Sequence, residues 1–195
     1  MMNSWLRQAL GEYVSFKDEE WEFFMHRCKC VKLKPKDIFF RSGEIANKVG
    51  FLRKGILRAC QENEKGEIVT CYFYYLPHNN VVSLQTSFAL KIPSEHSVEA
   101  ITDCEILYLE RNHFNNCLHK YPVFETMVRK IAEKHYLDSS KRINDFQTKD
   151  AKEIYNDFVK ECGDLASEVP QYMIASYLGM SQFTLSKIKK ITFQL

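Results

Sequence analysis

Val169–Lys190, reading VPQYMIASYLGMSQFTLSKIKK, constrains this chain more than any other stretch. Pro170 suits the first turn of a helix, where its missing N–H is not needed. Ile174, Ala175 and Leu178 recur at helical spacing and give one apolar face. Gly179 follows, and glycine accepts the positive φ that ends a helix. Ser181 stands where an N-cap would open a second helix. In that helix Leu185 and Ile188 point inward, and Gln182, Phe183, Ser186, Lys187 and Lys190 are left mostly outward. Two short helices joined by a tight glycine turn make a helix-turn-helix. The second helix carries hydrogen-bonding and cationic side chains suited to base edges and phosphates.

The same spacing fits an ordinary αα-hairpin closing a globular domain. Charge favours the nucleic-acid reading. Residues 181–195 hold Lys187, Lys189 and Lys190 and no acid. Residues 150–168 hold Asp150, Glu153, Asp157, Glu161, Asp164 and Glu168 against only Lys152 and Lys160. A basic end after an acidic stretch suits a surface that faces phosphates.

The 195 residues allow one large domain, or a medium domain with a small one. Hydrophobic residues make up 45%, enough to bury a core, and a net charge of +2 says nothing about partners. No apolar run approaches the ~18–20 residues that span a bilayer, so no membrane is expected as a partner. The opening MMNSWLRQALGEYV is broken by Arg7 and Glu12 and lacks a signal-peptide core, which makes the cytoplasm the expected location. Seven scattered cysteines fit reduced thiols better than a disulfide framework.

Residues 1–30 read as helical, with Leu6, Ala9, Leu10 and Tyr13 on one face and Trp21, Phe24, Met25 and Cys28 on another. From Cys30 to Leu109 the chain reads as short strands: 31–35, 37–40, 49–55, 56–62, 67–75, 96–102 and 105–110. NEKGE at 63–67 is a hairpin signal, and Gly43 and Gly55 mark further turns. Such spacing indicates a barrel or a sandwich. Tyr121-Pro122 opens a long helix whose apolar row runs through Phe124, Met127, Val128, Ile131 and His135. That row fits a dimer seam, and equally a helix packed on its own barrel. NDFQTKD at 144–150 reads as a polar hinge, and AKEIYNDFVKEC as a helix ending near Gly163.

Helical lead-in, β-barrel, long helix, hinge and terminal helix-turn-helix come in an order that resembles the Crp/Fnr superfamily of bacterial transcription regulators. LKPKDIFFRSGEIANKVGFLRKGILRACQENEKGEIVTCYF (33–73) is similar to the first strands of that family's cyclic-nucleotide-binding barrel. SVEAITDCEILYLERNHF (97–114) resembles its closing strands, and IASYLGMSQFTLSKIKK (174–190) its helix-turn-helix. The resemblance implies an α+β fold with N-terminal helices and a cyclic-nucleotide-binding-like jelly roll in 1–120. It implies a dimerisation helix in 121–143 and a small all-α DNA-binding domain in 144–195. The implied partners are double-stranded DNA, a second copy of the chain and RNA polymerase, with an unidentified small-molecule effector also open. The DNA-binding residues would be Ser181, Gln182, Phe183, Thr184, Ser186, Lys187, Lys189 and Lys190. The homodimer interface would be Phe124, Met127, Val128, Ile131 and His135.

The departures from the family are specific. Its nucleotide-binding members carry a Gly-Glu pair that meets the ribose and an arginine that meets the cyclic phosphate. Here Val82, Ser83 and Leu84 stand at the first place, and Ser94 and Glu95 at the second. A carboxylate repels a phosphate, and the bidentate guanidinium is missing. Ser83, Leu84, Ser94 and Glu95 therefore mark a degenerate effector site, and cyclic nucleotide is not expected as a ligand. Five residues after Lys190 are too few for the hairpin wing of many relatives. Phe183 replaces a glutamate that commonly reads bases. Phenylalanine can touch a thymine methyl but cannot accept a hydrogen bond.

Cys28 and Cys30 form one C-x-C, and the other cysteines lie far apart, unlike the paired ligands of a tetrahedral centre. The histidines contain no H-x-H, and no G-x-S-x-G is present. No cofactor, metal or enzymatic activity is expected. The reading is a sequence-specific DNA-binding transcription regulator whose barrel has lost cyclic-nucleotide binding. The alternative is a barrel-based sensor or interaction protein whose helix-turn-helix does not bind DNA.

Overall fold

The structure is a computed structural model in which residues 4–192 are described, with side chains to Lys190. The elements in order are α1 (Ser4–Leu10), α2 (Asp18–Met25), β1 (Lys29–Leu33), β2 (Ile38–Phe40), β3 (Lys48–Lys54), β4 (Leu57–Glu62), β5 (Ile68–Tyr74) and β6 (Val81–Val82). They continue with α3 (Gln85–Leu90), β7 (Ser97–Ala100), β8 (Cys104–Glu110), α4 (Arg111–Lys120), α5 (Pro122–Thr148), α6 (Ala151–Glu168), α7 (Gln171–Tyr177) and α8 (Gln182–Thr192). The strands form two four-stranded sheets, ordered β1-β8-β3-β6 and β2-β7-β4-β5. Two such sheets make a jelly roll, and with the helices the fold is α+β.

The chain divides into two compact units. One runs to Ala59 and resumes at Phe73–Tyr136; the other combines Cys60–Tyr72 with the chain from Leu137 on. In the first, Val49, Phe51, Leu107 and Leu109 recur at period two and join a core with Leu6, Leu10, Trp21, Phe24, Phe114 and Phe124. Phe24 stacks on Phe124 at 5.6 Å and meets Phe51 edge-on at 5.5 Å. On the opposite face of β3, a Cβ added at Gly50 would stand 3.0 Å from both Phe39 and Ile106, so glycine is what lets those side chains close.

The 63–67 turn forms as the sequence indicates. Asn63 N–H donates to Glu67 O at 2.9 Å, and Asn63 Oδ1 accepts from the N–H groups of Lys65 and Glu67. Between Tyr75 and Ser97 the sequence signals no element, yet β6 and α3 form there. Two and six residues are too short to show a period.

The long helix does not give way at residue 144. It runs on to Thr148, and the break is confined to Lys149 and Asp150. Polar residues facing water do not interrupt a helix; a cap does. Asp150 Oδ1 accepts from Glu153 N–H at 2.8 Å, and Asp150 N–H donates to Glu153 Oε2 at 2.9 Å. Nor does α6 stop near Gly163. It bends at Cys162 (φ −134°, ψ 36°) and continues to Glu168. In the second unit Tyr155, Phe158, Leu165, Ile174, Leu178 and Leu185 are buried and form a small helical core.

Candidate functional site

The helix-turn-helix is built by α7, the turn at Gly179 and α8. Pro170 lies just outside α7 as its N-cap, with extended backbone (φ −53°, ψ 137°), rather than inside its first turn. Gly179 has φ +67°, and Met180 N–H donates to Ala175 O at 3.0 Å, closing the end of α7. Ser181 caps α8: its Oγ accepts from Thr184 N–H at 3.0 Å and lies 2.8 Å from Thr184 Oγ. The hydroxyls of Ser181 and Thr184 are thus engaged with each other. Leu185 and Ile188 turn inward. Gln182, Phe183, Lys187 and Lys190 are exposed, with Ser186 and Lys189 half-buried between them. The Phe183 side chain is 80% exposed, the most of any large hydrophobic among the described residues.

Sequence reasoning missed the residue that fastens this head. Arg142 of α5 donates from Nη1 to Cys71 O and from Nη2 to Tyr177 O, both at 2.6 Å. Its guanidinium stacks 4.1 Å from the Tyr177 ring and 5.2 Å from that of Phe146. Beside it, Thr70 N–H donates to Ser176 Oγ at 2.9 Å. Strand β5 is thereby tied to the end of α7. An arginine in a polar run carries no signal of this, because both partners are backbone carbonyls.

The residues expected at a dimer seam are mostly in the chain's own core. Phe124 and Met127 are 1% exposed and Ile131 7%, all packed with α1, α2 and β3; Val128 and His135 are half-buried. Their spacing reports burial, and the barrel is what buries them. Phe124, Met127 and Ile131 are thus committed to the chain's own core. The apolar residues that α5 leaves in water are Tyr136, Leu137, Ile143 and Phe146.

The four effector-site positions lie in the barrel unit. Ser83 O accepts from Tyr74 O–H at 2.9 Å, and Leu84 is buried at the start of α3. Ser94 is buried and bonded within its own turn: Oγ accepts from His96 N–H at 3.0 Å and donates to His96 O at 3.1 Å. Glu95 is exposed. Two nearby arginines are already engaged. Arg111 donates to the carbonyls of Phe88 and Ala46, with its guanidinium 4.2 Å from the Phe88 ring. Arg58 pairs with Glu99 at 2.6 Å. Ser87 Oγ accepts from Ala46 N–H at 2.9 Å and donates to Ile92 O at 2.6 Å, holding α3 against the β2–β3 loop. Lys48 was not singled out by the sequence. Its Nζ lies 4.2 Å from the Phe39 ring and 5.4 Å from that of Tyr108, and burial pushes its ammonium below the usual lysine range.

Burial disfavours the thiolate at several cysteines. Burial pushes Cys28 up to about 12 and Cys117 up to about 11, so neither is a thiolate at neutral pH. The more exposed Cys30 is also raised, by burial first and then by Glu105. Among the described residues no group of three His, Cys, Asp or Glu could hold a metal ion, and no helix is long and apolar enough to cross a membrane.

These features define a class of domain. Residues 30–121 match the family model described as "Cyclic nucleotide-binding domain". No curated protein sequence matches the chain. Among solved structures, FixK2 from Bradyrhizobium japonicum superposes with a TM-score of 0.75 at 16% identity, covering 86% of this chain and 85% of that one. The c-di-GMP responsive global regulator CLP, which links cell–cell signalling to virulence gene expression in Xanthomonas campestris, gives 0.70 at 14%, covering 91% and 93%. The Catabolite Activator Protein of Thermus thermophilus gives 0.59 at 14%, covering 95% and 87%. At such identities the likeness establishes the fold.

Proposed function

We propose that this chain is a homodimeric, sequence-specific DNA-binding transcription regulator of the Crp/Fnr type, whose barrel does not take cyclic nucleotides. One observation carries the reading: α8 is capped at its N-terminus and presents Gln182, Phe183, Lys187 and Lys190 to solvent, in a stretch of sequence that holds no acid. A helix so furnished enters the major groove by its N-terminal half, as recognition helices do. Gln182 is suited to adenine N6 and N7, and Lys187 to guanine O6 and N7. Lys189 and Lys190, near the far end, suit phosphates. A symmetric dimer would place its two recognition helices on half-sites roughly 34 Å apart. The likeness to regulators such as FixK2 and CLP supports this reading, and RNA polymerase and a cytoplasmic setting follow from it. The exposed α5 row, not the Phe124 row, is the place for the seam.

Lys187→Ala is expected to cost about 1–3 kcal/mol per half-site and to relax preference at one base pair. Lys190→Ala should weaken all sequences alike and lower the salt slope by about one per subunit. Titrations against an operator panel at several salt concentrations separate the two. If neither substitution changes affinity, α8 does not touch DNA, and a barrel-based interaction protein becomes the better reading.

Cyclic AMP and cyclic GMP are expected not to bind at physiological concentrations, because Ser94 is bonded into its own turn and Glu95 places a carboxylate where a phosphate would sit. Calorimetry giving a micromolar dissociation constant for either nucleotide would overturn this.

A further inference from the structure

We propose that Phe183 reads the 5-methyl group of a pyrimidine in the major groove, so that DNA binding by this chain depends on a single methyl and responds to cytosine methylation. The inference rests on the DNA-binding reading above and names what one position of the site selects.

Phe183 is the second residue of α8, and its ring is 80% exposed. A single exposed aromatic is common on protein surfaces and by itself means little. Its setting is what matters. Lys187 lies one turn on, at i+4, and Gln182 directly before it; all three are exposed. The Ser181 cap fixes the backbone of this turn through Thr184 N–H at 3.0 Å, so the ring is carried on a defined helix end rather than on a loop. The residues around it are polar or cationic, which suits a polyanion and not a second apolar protein surface.

A major groove offers an aromatic ring very little. Guanine shows two acceptors, adenine an acceptor and a donor, and cytosine a donor. Thymine shows its C5 methyl, and 5-methylcytosine shows the same group. A phenyl ring can bond none of the polar edges, and it would strip water from them without replacing it. Against a methyl it gains contact on both surfaces. Phe183 therefore selects by methyl and not by base-pair identity: thymine over uracil, and 5-methylcytosine over cytosine.

One buried methyl corresponds to about a fourfold change in affinity per half-site, and about fifteenfold when both half-sites change together. The test uses the full-length chain and an operator selected from a random duplex pool at low salt. At each pyrimidine the base is varied among thymine, deoxyuridine, cytosine and 5-methylcytosine in both half-sites. The expected result is one position per half-site where loss of the methyl weakens binding about fifteenfold in the paired operator and 5-methylcytosine restores most of it. Phe183→Ala should flatten that difference with thermal unfolding unchanged, and Lys187→Ala should leave it intact. Equal affinity for thymine and deoxyuridine at every position would overturn the proposal, as would a methyl effect that survives Phe183→Ala. In both cases DNA binding itself would stand. Failure to retain any duplex from the pool at low salt would overturn the DNA reading and this proposal together.

Discussion

Ile131→Glu is expected to prevent the barrel unit from folding, not to convert a folded dimer into folded monomers. Ile131 is 7% exposed and packs in the core that also holds Phe124 and Met127. Removing a buried aliphatic side chain costs about 2–5 kcal/mol, and an unpaired carboxylate in its place adds several more. A domain is stable by only about 5–15 kcal/mol, so the substitution consumes most of the margin. Ile143→Glu offers the contrast. Ile143 is 59% exposed on α5, so the folded chain loses no packing, while an apolar seam between copies would gain two facing charges. It should yield folded monomers in sedimentation with unchanged near-ultraviolet circular dichroism. A folded, monomeric Ile131→Glu protein would return the seam to the Phe124 row.

Gly55→Ala is expected to destabilise the barrel unit by about 2–6 kcal/mol, the sum of two separate penalties. The residue has φ +95°, a conformation that side chains rarely adopt. The added Cβ would also stand 2.4 Å from Asp103 O and 2.6 Å from Cys104 Sγ, inside the van der Waals limit of a backbone atom that cannot swing away. Gly43 separates the penalties, since it has φ +83° but nothing within 4 Å of its Cβ position. Gly43→Ala should cost only the conformational part, about 1–2 kcal/mol. Urea unfolding followed by midpoint, with an unchanged slope, measures both. Equal midpoints for the two variants would mean that the close approach at Gly55 carries no energy.

What the sequence made legible was local. The Gly179 turn, the Ser181 cap and the Asn63–Glu67 hairpin each depend on residues within five positions of one another, and each forms with the expected bonds. Periodicity marked the Phe124–Ile131 row as buried, but a period says that a face is covered and not by what. The same limit applies to the polar run at 144–150, which reports exposure and not the end of a helix. Arg111 and Arg142 were invisible for a different reason. Their partners are main-chain carbonyls, and every residue has one. Between Arg142 and Cys71 lie 71 positions of sequence, and nothing in either neighbourhood points to the other. The proposal of a degenerate effector site comes only from a family likeness, because serine and glutamate in a turn mean nothing alone.

The Arg142 fork and the Thr70–Ser176 bond also bear on the order in which the chain assembles. The polar run at 144–150 suggests a cut that frees the helical head, yet one of the head's contacts closes a loop of 106 residues. Loop closure on that scale is an entropic cost that must be met before the contact rewards it, so the head's packing is non-local despite its short helices. On a ribosome strand β5 is made first and waits, while α7 arrives more than a hundred residues later. A C-terminal fragment starting at Leu137 would contain α6, α7 and α8 and still lack the strand whose carbonyl and amide complete their packing.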